Sequence, residues 1–191
     1  HMEASSLLQE ALDLIQDNAS TEIDTCSIAL AASYSNYFSG KWEYAADNAT
    51  KAMACEDQYE EALMMRGRSQ HLAGDYQRAK QDFDVYIESH DVEYAGYLRR
   101  ALSSAQQGNY ETAILDIETA ITMNPEQLIS YNILAETASD AGYRERAAET
   151  CLRALDIEPE DPYCNRLLAR NYRNAGNNDL ASSRPEMDKR L

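Results

Sequence analysis

The 191 residues carry 33 acidic against 17 basic side chains, a formal charge of −16 at pH 7, with 44% hydrophobic residues and four cysteines. A surplus of this size repels phosphate backbones and anionic headgroups, which excludes nucleic acid as a partner. No apolar run approaches the ~18 residues of a membrane helix, which excludes direct membrane insertion.

In chain order, His1 and Met2 read as a cloning scar, so the lack of a leader leaves the compartment open, the cytoplasm favoured but periplasm or secretion retained. Residues 3–25 place Leu8, Ala11, Leu12 and Ile15 at helical spacing and are expected to form an N-terminal helix, either a degenerate preceding repeat or a cap. From there glycine recurs at Gly40, Gly74, Gly108, Gly142 and Gly176, every 34 residues, and alanine follows five positions after each, from Ala45 to Ala181. Such a period marks a repeat architecture. It divides the chain into copies at 26–59, 60–93, 94–127 and 128–161, a partial fifth copy or capping helix at 162–181, and a polar tail at 182–191.

The second copy shows the chemistry of the unit. Leu63, Gly67 and Leu72 lie on one helix, which Gly74 ends by adopting a left-handed conformation that costs other residues about 1 kcal/mol or more. Asp75 is placed to cap the next helix, whose buried face is predicted from Tyr76, Ala79, Phe83, Tyr86 and Ile87. Each copy is therefore a helical hairpin, and the small residues at Gly67 and Ala79 let helices approach closely. Pro125 and Pro159 close the third and fourth copies, since proline lacks the N–H a helix needs.

Cys26, Cys55, Cys151 and Cys164 show no C-x-x-C spacing, and His71 and His90 are the remaining imidazoles, so neither a metal site nor a cofactor is expected. Cys26 and Cys55 fall at the start and end of one hairpin, close enough in an antiparallel pair for a disulfide in an oxidising compartment. The burial habit of free cysteine favours four packed thiols instead. There is no phosphate-cradling glycine loop, no H-E-x-x-H, no G-x-S-x-G and no Cys-His pairing, so no enzyme activity is expected. The abundant carboxylates read as a solvated helix face.

The pattern G-D/N-Y-x-x-A, as in GDYQRA and GNYETA, followed by A-I/L-x-M/I-N/E-P, as in AITMNP and ALDIEP, resembles the tetratricopeptide repeat over residues 26 to 181. The resemblance implies an all-α fold, a right-handed superhelix or solenoid of antiparallel helix pairs whose first helices line a concave groove. It places peptide-binding residues at Leu30, Tyr34, Tyr37 and Phe38 in the first copy and at Met64, Arg68, His71 and Leu72 in the second. The third copy supplies Leu98, Leu102 and Gln106. Asn132, Glu136, Ser139 and Asp140 follow in the fourth, and Tyr163, Arg166, Arg170 and Arg173 in the fifth.

That surface runs from apolar through polar to basic. It suits a protein or peptide with apolar anchors that is not acidic overall. The lysine-asparagine-arginine clamp with which some family members hold acidic chaperone C-termini does not fit, because the three frames put Leu30, Met64 or Leu98 in its first place. The expectation is a non-catalytic scaffold, with a homo-oligomerisation module or an accessory domain of a larger enzyme or assembly as alternatives. The three arginines read either as a solvated face paired with Asp140 and Glu136 or as a receiver for a ligand carboxylate.

Overall fold

The computed structural model describes residues 25–89, 93–174 and 176, and among these every regular element is helical. Two hairpins, α1 (Thr25–Phe38) with α2 (Trp42–Ala52) and α3 (Tyr59–Leu72) with α4 (Tyr76–Ser89), belong to a compact unit ending at Asp91. The second unit, from Val92, holds α5 (Tyr94–Gln106) with α6 (Tyr110–Met123), α7 (Leu128–Asp140) with α8 (Arg144–Ile157), and α9 (Pro162–Asn174). The helix expected before Thr25 and the tail expected over 182–191 lie outside the described residues.

The glycine lattice works as its spacing predicts. Gly74 has φ +86°, Gly74 N–H donates to His71 O at 3.1 Å and Asp75 N–H to Gln70 O at 2.8 Å. Those two bonds close the end of α3 as a Schellman motif. Lys41, Asn109 and Tyr143 make the bond that Asp75 makes, to Asn36, Ser104 and Ala138. Asp75 also accepts from Arg78 N–H at 3.2 Å and so caps α4.

Within each hairpin the helices meet at small residues. At Gly67 a Cβ would lie 2.7 Å from Cε1 of Phe83, a ring that is fully buried. Phe83 thus fills the space over its own hairpin's glycine. One period earlier Ser33, also fully buried, donates its hydroxyl to Ala45 O at 2.7 Å, which satisfies both groups in the same narrow seam. The core of the second unit packs Ala113, Ile117 and Ala120 of α6 with Leu134 of α7, Cys151 of α8 and Leu168 of α9.

Not all carboxylates form a solvated face. Asp82 accepts from Arg66 Nε and Nη2 at 2.8 and 2.6 Å, and Asp116 from the same atoms of Arg100 at the same distances. Both aspartates are buried. Each bidentate pair ties the first helix of a hairpin to its second. The bond to Asp82 raises the Arg66 pKa above its ordinary value, with burial opposing it.

The cysteine expectation needs one correction. Cys151 and Cys164 are buried free thiols, but Cys26 and Cys55 form a disulfide, with Cα atoms 6.1 Å apart. The reason is geometric: the antiparallel return of α2 brings the segment before α3 beside the start of α1, as hairpin closure allows.

Candidate functional site

In the first unit α1 and α3 lie side by side, and a row of cross-links fixes their separation. The Cys26–Cys55 disulfide stands at the start of α1, next to a hydrogen bond from Gln58 Nε2 to Ser27 Oγ. Further along, the Tyr34 hydroxyl donates to Glu61 Oε1 at 2.6 Å. Arg68 Nη2 donates to the Tyr37 hydroxyl at 3.3 Å, its guanidinium carbon 4.8 Å from that ring's centroid. Burial, then the hydrogen bond and charge of Glu61, push the Tyr34 hydroxyl up to about 12 against the opposing charge of Arg68, so it remains a donor at neutral pH.

Beside this frame Phe38 is 72% exposed and meets Tyr37 edge to face, with ring centroids 5.4 Å apart. Leu72, one period on, is also exposed, and Tyr34, Tyr37, Met64, Arg68 and His71 are half-buried. His71 stands edge-on to Tyr76 at 5.3 Å. Leu30 differs: it packs with Ala29, Ala52 and Ala62 in the core.

In the second unit α5, α7 and α9 lie side by side. Leu98 is buried in the core, while Leu102 is half-buried. Asn132 serves to seat α9. Its Nδ2 donates to Asp161 Oδ1 at 3.2 Å and its Oδ1 accepts from the Cys164 thiol at 3.3 Å, while Asp161 Oδ2 caps α9 through Cys164 N–H at 2.7 Å. Hydrogen bonding with Cys151, then burial, raise the Cys164 pKa, which keeps a thiol rather than a nucleophilic thiolate.

Glu136 and Asp140 of α7 face Arg166 and Arg170 of α9 across a cleft of about 340 Å³, with Ser139 and Tyr163 also in its walls. Those four charged residues, and Arg173 beyond them, are exposed. Arg170 Nη2 donates to Ser139 Oγ at 3.0 Å. Neither Arg166 nor Arg170 forms an ion pair among the described residues.

A larger cleft in the first unit, about 690 Å³, is lined by α2, α3 and α4, where Arg66 and Arg78 already engage Asp82 and Asp75. No group of three or more metal-ligating side chains occurs among the described residues, and no helix there is long and apolar enough to cross a membrane.

Small-residue seams, left-handed glycine closures and a layer of first helices define a helical-repeat solenoid. The tetratricopeptide repeat model matches residues 94–127 and 128–161, so the third and fourth copies are tetratricopeptide repeats. Solved structures share the fold. MamA from Desulfovibrio magneticus RS-1 is 20% identical with a TM-score of 0.74, covering 86% of this chain and 93% of its own. TTC0263, a thermophilic repeat protein of Thermus thermophilus, is 20% identical with a TM-score of 0.65, covering 83% and 87%. The first repeat domain of Spaghetti, solved with the HSP90 peptide SRMEEVD, is 17% identical with a TM-score of 0.57, covering 62% of this chain and 94% of its own. No curated protein matches the chain significantly in sequence.

Proposed function

We propose that the chain is a non-catalytic scaffold that binds a peptide or protein segment on the exposed face of its first helices. The observation that carries this reading is the exposed Phe38, set beside Tyr37 and the stacked Arg68 on helices whose opposite faces are core. An aromatic ring held in water on a cross-linked frame loses little freedom when a ligand covers it, which is where binding energy is most readily gained. The ligand residues are Tyr34, Tyr37, Phe38, Met64, Arg68 and His71 in the first unit and Leu102, Glu136, Arg166, Arg170 and Arg173 in the second. Leu30 and Leu98 support them from the core. Spaghetti's peptide complex supports the reading by analogy of fold alone.

Selection from a phage-displayed random peptide library tests it. Peptides with apolar anchors should be recovered by the wild-type protein and lost on Phe38→Ser and Arg68→Glu. Both variants should keep the native helical circular dichroism. Recovery of the same peptides by both variants would overturn the reading. So would an empty selection accompanied by concentration-dependent self-association in light scattering.

A further inference from the structure

The cleft between α7 and α9 carries a charge pattern that the chain itself leaves unused. Glu136 and Asp140 are spaced i, i+4 on α7, and Arg166 and Arg170 are spaced i, i+4 on α9, so each helix presents two like charges on one face. Opposite charges facing each other on flexible stems would ordinarily close into ion pairs, yet neither arginine pairs with a carboxylate among the described residues. The helix spacing is set elsewhere, by Cys164 and Leu168 in the core and by the Asn132–Asp161 link. The four charges thus keep most of their hydrogen-bonding capacity facing open space.

The rest of the cleft suits a small, polar, doubly charged occupant. Its volume, about 340 Å³, is at the lower end of ligand pockets, roughly 300–1,000 Å³. Leu167 supplies an apolar patch in the lining. The Tyr163 hydroxyl, raised in pKa by burial first and then by Glu136 and its other neighbours, stays protonated and offers a donor.

We propose that this cleft is a subsite for a basic and an acidic side chain adjacent in one peptide segment, the basic group meeting Glu136 and Asp140 and the acidic group meeting Arg166 and Arg170. This rests on the peptide-binding reading and deepens it by naming the charge pattern of the partner. A segment of two acids would face Glu136 and Asp140, and a segment of two bases would face the arginines. Only the mixed pair satisfies both walls, so the two helices act together as a selector.

The test uses three blocked peptides of equal length, with Lys-Glu, Glu-Glu or Lys-Lys at the centre of an alanine sequence, titrated into isotopically labelled protein and followed by NMR. Lys-Glu should shift the Arg166 and Arg170 side-chain N–H signals and the Tyr163 ring signals, and bind at least roughly tenfold more tightly than either like-charged peptide. Arg166→Gln with Arg170→Gln should abolish the preference over Lys-Lys, and Glu136→Gln with Asp140→Asn the preference over Glu-Glu. These side chains lie on exposed faces, and unchanged backbone spectra would show the fold intact. Equal affinity for the three peptides, or saturable shifts confined to α1 and α3, would overturn the subsite while leaving the scaffold reading in place. Absence of any saturable shift, in a protein that still selects displayed peptides through Phe38, would likewise reduce the cleft to a solvated face.

Discussion

Gly67 illustrates how far single positions can be read. The sequence marks it as small, because its counterparts are Ser33, Ala101, Ala135 and Ala169. What it cannot convey is that the second copy alone needs glycine, since that depends on Phe83 lying across the seam. Gly67→Ala is expected to destabilise the protein by about 1 to 3 kcal/mol through overpacking, and Phe83→Leu in the same chain should recover part of the loss. An unchanged urea midpoint for Gly67→Ala would show that the ring yields freely. Leu30, Met64, Leu98, Asn132 and Arg166 make the same point for the ligand face. They share one place on the lattice, yet Leu30 and Leu98 are buried, Met64 and Asn132 half-buried and Arg166 exposed. Register fixes where the Cα stands, while the side chain and its neighbours decide whether it reaches water.

At the scale of helices, the hairpins were legible because glycine and alanine mark each turn and seam directly. The Arg–Asp pairs were not, although a signal existed: Arg66 and Asp82 recur as Arg100 and Asp116 one period on. Two residues on antiparallel helices meet only once the hairpin angle is known. In α7 and α8 the same positions hold Leu134 and Thr150, both buried, so the fourth copy closes its seam there without an ion pair. Arg66→Leu alone should therefore cost about 3 kcal/mol by leaving buried Asp82 unpaired, whereas Arg66→Leu with Asp82→Thr should return to within about 1 kcal/mol of wild type. A double variant as unstable as the single one would show that the fourth copy's solution is not transferable. The disulfide acts on α1 to α3. With a sequence separation of 29, its loss should lower stability by about 3 to 4 kcal/mol through the freed unfolded chain. Cys26→Ser with Cys55→Ser should raise amide exchange in α1 and α2 more than in α6 to α8. Uniform acceleration across the chain would count against a local role.

For the whole molecule the dominant quantity is the charge of −16. Local ion pairs such as Arg146–Glu118 weaken in salt, but so does the repulsion among the excess carboxylates, and with 33 acids against 17 bases the second effect is larger. Raising ionic strength from about 0.01 M to about 0.15 M shortens the Debye length from about 30 Å to about 8 Å. The melting temperature should rise over that interval, and a fall would mean that attractive pairs control stability. Composition made this legible at once. The charges at the α7–α9 cleft needed coordinates, because the sequence alone leaves open whether arginines near carboxylates pair with them.

The bidentate Arg–Asp links have a consequence for inheritance. Each closes inside one hairpin, α3 with α4 or α5 with α6, and the disulfide likewise closes within the first copy, from the start of α1 to the segment that follows α2. Duplication or recombination that cuts between copies therefore moves each of these acids together with its base and each bridged cysteine together with its mate. A crossover inside a hairpin has no such protection: α5 joined to α8 would set Arg100 against Thr150 and strand a guanidinium in the seam. Chains of this kind are free to lengthen or shorten by whole hairpins, and the pairs themselves set where the viable breakpoints lie.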